Sequence, residues 1–262
     1  MNQSTNKINT LFATRGGRKL LSLYFCAGDP ALNQTADTIL TLQRRGIDMI
    51  EVGIPFSDPL ADGPVIQSAG TRALHNGMTL ATLFTQLRAI RGEVTIPLVL
   101  MGYLNVVMHY GFERFFEQCV ACGVSGCIIP DLPFQDYLDV VKPIADCYDV
   151  RVIMMITPET SDERIRLIDA HTDGFIYMVS SASITGAQSK FGDDRLAYFE
   201  HVEQMHLRNP RMIGFGISNR QTLERAQSHA AGAIIGSKFV TLLHETGSAE
   251  EAMDKLTAAL EQ

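Results

Sequence analysis

Short apolar runs rich in β-branched residues alternate along this chain with longer stretches whose apolar positions recur every three or four residues. The short runs suit strands at residues 20–26, 48–54, 97–103, 126–131, 151–157, 174–180, 211–216 and 232–236. Between them the helical period predicts helices over 34–45, 65–74, 80–91, 111–122, 134–147, 161–171, 196–207 and 221–229. Two further helical patterns, 8–14 and 249–260, lie outside the first and last strands.

The strand runs are nearly continuous in apolar residues, as in a parallel sheet covered by helices on both faces. Eight strand and helix units favour closure, and the 262 residues of the chain match the roughly 250 of a typical eight-stranded α/β barrel. An open doubly wound sheet is the alternative, but it usually carries a glycine-rich dinucleotide loop after its first strand, where this chain reads Ala27-Gly28-Asp29-Pro30. No linker rich in Pro, Gly or Ser divides the sequence. The expectation is one α/β domain over 1–262, a single (βα)8 TIM barrel with an extra N-terminal helix as a bottom cap and 249–260 as the last barrel helix.

Composition narrows the function classes. A formal charge of -7 and a pI near 5.5 leave no electrostatic footprint for nucleic acid. The first ten residues are polar and no apolar run is long enough to span a bilayer, so a cytoplasmic chain without membrane contact is expected. Five cysteines, an odd number, predict reduced thiols. Cys119 and Cys122 form a CxxC near Cys127, but no second pair and no suitably spaced histidines accompany it, which favours buried helical thiols over a metal or redox centre.

Alternation along the second strand places Met49, Glu51 and Gly53 on one face and Ile50, Val52 and Ile54 on the other. With the branched face against the helices, Glu51 points into the barrel, where burial raises a carboxyl pKa toward a value useful for general acid or base work. A structural glutamate satisfied by a tyrosine or a cation fits the same position. Residues 55–64 follow at the carboxyl end of the strand, where barrels build active sites, and supply Asp58 and Asp62. Asp62 precedes Gly63-Pro64 and a helix, so by itself it reads as a turn former or a cap. Gly214-Phe215-Gly216 and Gly236-Ser237 end the last two strands, where backbone N–H groups and the start of a short helix hold phosphate in many barrels. Gly216, Gly236 and Ser237 are therefore candidate phosphate ligands, and the polar segment 181–191 suits a closing lid.

These residues carry a resemblance. The run from Ile50-Glu51-Val52-Gly53 through Pro55-Phe56-Ser57-Asp58-Pro59-Leu60-Ala61-Asp62-Gly63-Pro64 to Gln67 is similar to the signature of tryptophan synthase alpha subunits. In order along nearly the whole chain, Gly28-Asp29-Pro30, Met101-Gly102-Tyr103-Leu104-Asn105, Pro130-Asp131-Leu132-Pro133, Ile184-Thr185-Gly186, Gly214-Phe215-Gly216-Ile217-Ser218 and Gly236-Ser237 resemble that family's other motifs. The resemblance implies retro-aldol cleavage of indole-3-glycerol phosphate to indole and glyceraldehyde 3-phosphate. It implies Glu51 as the acid that protonates the ring carbon, Asp62 as the partner of the ring N–H, and Tyr177 as a tyrosine near Glu51. It further implies Thr185 as a lid threonine and Gly186 as a phosphate contact. A beta subunit carrying pyridoxal phosphate is implied as the partner in a heterotetramer, contacted through Pro55, Asp58, Pro59, Asn105, Asp131 and Pro133, with no cofactor on this chain. The sequence departs from the family pattern at Ser181, where many members have arginine, at Ser183, where many have glycine, and at Cys26, where threonine is common.

Three rivals remain at the level of sequence. One is a stand-alone lyase of the same fold that releases free indole. Another is a different phosphate-binding barrel such as a sugar-phosphate isomerase or aldolase, although Lys142, Lys190 and Lys238 fall in helix or loop patterns rather than at inward strand positions suited to a Schiff base. The third is a catalytically idle scaffold, against which Glu51 and Asp62 are both intact.

Overall fold

The computed structural model describes residues 6–180, 193–214 and 216–261. Eight parallel strands close into a barrel in sequence order. They are β1 (Leu20–Cys26), β2 (Met49–Gly53), β3 (Leu98–Met101), β4 (Gly126–Ile128), β5 (Arg151–Ile156), β6 (Ile176–Val179), β7 (Arg211–Gly214) and β8 (Gly232–Ile235). Closure is made by β8 against β1, with Leu20 opposite Gly232 and Leu23 opposite Ile235. Every expected strand is present. Most stop short of their apolar runs at the carboxyl end, where the chain leaves the ladder to build the mouth; β4 ends before Pro130, which has no N–H to donate.

The helices before β5 are α1 (Lys7–Thr14), α2 (Thr35–Arg44), α3 (Pro64–His75), α4 (Leu80–Ile90), α5 (Leu104–Tyr110), α6 (Phe112–Cys122), α7 (Phe134–Asp136) and α8 (Lys142–Cys147). After it come α9 (Asp162–His171), α10 (Asp193–Gln204), α11 (Arg220–His229), α12 (Ser237–Thr246) and α13 (Ala249–Glu261). One π-helical stretch, Tyr137–Val141, joins α7 to α8 within the single helix expected there. Two helices were not anticipated from periodicity. The seven residues of α5 make barely two turns, too few to establish a period. The first residues of α12 continue the apolar run of β8, which hides the change from strand to helix. It is α13 that packs against α2 and α11 and completes the outer ring, whereas α12 lies against α3 and β1.

The amino ends of the strands are sealed by α1. Asn6 Nδ2 donates to the carbonyls of Ser125 at 2.8 Å and Asp149 at 2.7 Å, while its Oδ1 caps the helix at Ile8 N. Ile8 is fully buried and fills the space left by Gly126 and Gly174. Arg151, at the start of β5, pairs with Asp149 and Asp173 and donates to Asn9 Oδ1. This end of the barrel is tied shut by hydrogen bonds and apolar packing, which leaves the carboxyl end for chemistry. Cys119 and Cys122 lie buried on α6 and Cys127 on β4, so the CxxC spacing reflects helix packing.

Two tyrosines cross the upper interior, and a glycine makes room for each. A Cβ on Gly53 would stand 2.1 Å from the Tyr24 hydroxyl oxygen, and one on Gly214 would stand 2.2 Å from that of Tyr177. Gly214→Ala should therefore lower stability by roughly 1–3 kcal/mol, as overpacking does, seen as a lower urea midpoint. Adding Tyr177→Leu should recover part of the loss; an unaltered midpoint in the single variant would mean that the phenol does not occupy this space.

Candidate active site

The pleat of β2 aims Glu51 into the barrel between Tyr24 of β1 and Val99 of β3, where it is fully buried. Ser22 Oγ donates to its Oε1 across a long 3.4 Å, and its Oε2 has no hydrogen-bond partner among the described residues. Among the described residues no tyrosine or cation hydrogen-bonds to that oxygen. Loss of hydration, offset only slightly by Ser22, raises the carboxyl pKa to about 8. At neutral pH the side chain is mainly the neutral acid, ready to give up a proton.

Asp62 stands in the loop between β2 and α3, yet only 8% of it is exposed. Its carboxylate does not cap α3, whose N-cap is Gly63 with no side-chain hydrogen bond. Instead the Tyr103 hydroxyl donates to Asp62 Oδ2 at 2.9 Å and accepts from Ala61 N at 3.0 Å. Stacking on Phe56 fixes the Tyr103 ring. Burial lifts the Asp62 pKa to about 6, while the Tyr103 bond favours the ionised form. Between about 6 and about 8, Asp62 is a carboxylate and Glu51 an acid. This split follows first from the deeper burial of Glu51 and then from the better hydrogen bond to Asp62.

Both carboxylates line one cavity at the carboxyl ends of the strands, with an empty volume of about 490 Å³ that includes its opening to solvent. Tyr24, Ile66, Met101 and Tyr177 supply apolar and phenolic walls, and Gly216, Ile217, Gly236, Ser237 and Lys238 enter from the ends of β7 and β8. Gly216 has φ +82°, a left-handed conformation that suits glycine. Asn219 and Thr222 close a capping box on α11, whereas no side chain caps α12 at Gly236, so first-turn N–H groups of α12 are free of a side-chain cap beside the cavity.

Six of the residues singled out from sequence, Glu51, Asp62, Tyr177, Gly216, Gly236 and Ser237, meet at this cavity. Thr185, Gly186, the lid segment 181–191 with Ser181 and Ser183, and Phe215 lie outside the described residues. Asp58, Asn105, Asp131 and Pro133 are exposed and Pro59 is half-exposed. Asp131 also accepts from Leu104 N at 2.8 Å, joining the loop after β4 to the start of α5. Pro55 is buried in this chain and lines a small recess with Ile54, Phe56 and Tyr103. Sequence reasoning gave no role to Tyr24, Tyr103 or Lys238. Tyr24 was accessible from the inward parity of β1, but the Tyr103 contact with Asp62 joins two loops and has no local signal.

Fold and cavity define a (βα)8-barrel enzyme with acid and base groups and a candidate anion corner at the carboxyl ends of its strands. A family model described as tryptophan synthase alpha chain matches residues 12–262. A tryptophan synthase alpha chain of Phocaeicola vulgatus is 65% identical over 256 residues, covering 97% of this chain and 99% of that one. One from Bacteroides thetaiotaomicron is 61% identical over 255 residues, covering 97% and 99%. The crystal structure of tryptophan synthase subunit alpha from Legionella pneumophila has a TM-score of 0.86 at 32% identity, covering 98% of this chain and 96% of that one. The chain belongs to the tryptophan synthase alpha chain family and is, with it, a carbon–carbon lyase.

The raised pKa of Glu51 has a thermodynamic consequence. Stability linked to this group is complete below its ordinary value of 4.5 and is lost as pH rises through about 8, because the folded state resists ionisation. Glu51→Gln cannot ionise. Relative to the wild type it should gain stability between pH 5 and pH 9, by on the order of 1–3 kcal/mol in urea titrations. Parallel pH dependences in the two proteins would contradict an unpaired buried acid.

Proposed function

We propose that this cavity cleaves indole-3-glycerol phosphate, with Glu51 as general acid, Asp62 as partner of the ring N–H and the corner of Gly216, Gly236 and Ser237 as the phosphate seat. The observation that carries the reading is a buried acid without a partner on one oxygen, lining the same cavity as a second, hydrogen-bonded carboxylate. Transfer of the Glu51 proton to the ring carbon bearing the side chain makes the ring a cationic electron sink, which the Asp62 carboxylate stabilises through the N–H. The bond from that carbon to the side chain then breaks, its electron pair restores the aromatic ring, and the side-chain hydroxyl becomes an aldehyde by losing its proton. The Glu51 carboxylate left by the first step is the base that takes this proton, which resets the acid. The ring itself is the electron sink, so the step needs no cofactor from this chain. Tyr177 stays a neutral phenol, because burial and the nearby carboxylates hold its pKa well above the usual value, and it serves as a wall beside Glu51.

The indole released is passed to a beta subunit that carries pyridoxal phosphate, within a cytoplasmic heterotetramer. The rim supports a partner at the barrel mouth: Asp58, Asn105, Asp131 and Pro133 are exposed there, Leu60 is 83% exposed and Met108 is 56% exposed. Large apolar side chains held in water close to a mouth are suited to burial against another protein. No helix among the described residues is long and apolar enough to cross a membrane.

Glu51→Gln should abolish indole release from indole-3-glycerol phosphate while leaving the fold intact, and Asp62→Asn should lower kcat by roughly 10²- to 10³-fold. In the wild type, kcat/KM should rise through about pH 6 as Asp62 ionises and fall through about pH 8 as Glu51 does. Wild-type turnover by the Glu51 variant would end this mechanism. Adding a cognate beta subunit should accelerate cleavage by the purified chain; full activity without it, unaffected by the addition, would instead describe a lyase that works alone.

A further inference from the structure

The cavity holds an electrostatic mismatch. Its described lining includes two carboxylates, the chain as a whole carries a formal charge of -7, and the substrate proposed above brings a phosphate. Backbone N–H groups at the start of α12 contribute partial charge only. Among the described residues that line the cavity there is one cation, Lys238, in the first turn of α12 immediately after Ser237. It is half-buried, and no carboxylate or carbonyl among the described residues holds its ammonium group. Three other lysines are occupied, away from this cavity: Lys7 donates to Val94 O, Lys19 to Ala230 O and Lys142 to Asp146. A lysine without a partner, at the wall of an acidic cavity and beside an uncapped helix start, is placed to receive an anion.

We infer that Lys238 is a substrate-binding residue that pairs with the phosphate of the substrate, so that an ionic contact joins the backbone N–H groups in anchoring that end. The inference rests on the reading that the phosphate sits at the ends of β7 and β8. Lys238 enters the lining with Gly236 and Ser237 from the end of β8, whereas Glu51 and Asp62 come from β2 and the loop after it, so the role assigned to it is anchoring rather than proton transfer.

Lys238→Met keeps most of the length and apolar stem and removes the charge. It should raise KM for indole-3-glycerol phosphate about tenfold or more while kcat changes by less than about threefold, and Lys238→Arg should restore most of the loss. Added salt should raise the wild-type KM and leave that of Lys238→Met nearly flat. A KM within twofold of wild type with the same salt dependence, or a fall confined to kcat, would overturn the assignment. Inorganic phosphate as a competitive inhibitor separates the two layers of the argument. Competition in the wild type that weakens in Lys238→Met supports both; equal inhibition constants remove the lysine and leave the phosphate corner standing. Absence of competition in the wild type removes the corner and the lysine together.

Discussion

The structure turns on one buried carboxyl group whose burial is not compensated. Glu51 sits on the inner face of β2 with a long contact from Ser22 on one oxygen and none among the described residues on the other. An ion there would forfeit its hydration for almost nothing, so the group keeps its proton at neutral pH. The surrounding architecture maintains that condition. Gly53 leaves space for the Tyr24 ring, Tyr177 and Met101 wall the cavity, and the branched residues of β2 face the helices. A cation in this layer would convert the acid into a spectator ion.

Asp62 shows how the same barrel mouth produces the opposite protonation state. Burial raises its pKa as well, but less than that of Glu51, and the Tyr103 hydroxyl that donates to it holds the value at about 6. The loop that carries it is anchored through α3, where Arg72 reaches back to Asp29 in a two-pronged ion pair and Asn76 donates to the carbonyls of Gly28 and Pro30. The Asp29 and Asp62 motifs, far apart in the chain, thus belong to one rigid corner.

The two ends of the barrel have divided tasks. At the amino end, α1 plugs the strands and Arg151 is paired on two sides, so side chains there are spent on closure. At the carboxyl end the chain leaves the ladder early and builds a cavity from β1, β2, β7 and β8 together with α12. Departures from the family pattern fall unevenly on this plan. Cys26 is buried at the end of β1, with its thiol near the carbonyl of Ala27, whereas Ser181 and Ser183 lie outside the described residues.

Much of this was legible from order and periodicity. Eight apolar runs separated by helical patterns determine a parallel barrel, since strands buried on both faces need helices outside and a filled interior inside. Two-residue alternation along β2 was enough to turn Glu51 inward, and the place of Gly216, Gly236 and Ser237 after the last two strands brought them to the same mouth. What periodicity could not carry was partnership across loops. That Asp62 takes its hydrogen bond from Tyr103 instead of capping α3, that Glu51 Oε2 takes no hydrogen bond from the tyrosines near it, and that Lys238 joins the lining of the cavity are facts about groups brought together by closure. A pKa depends on burial and on neighbours in space, and those neighbours come from β1, β3 and the loops, positions that no local pattern in the chain relates to one another.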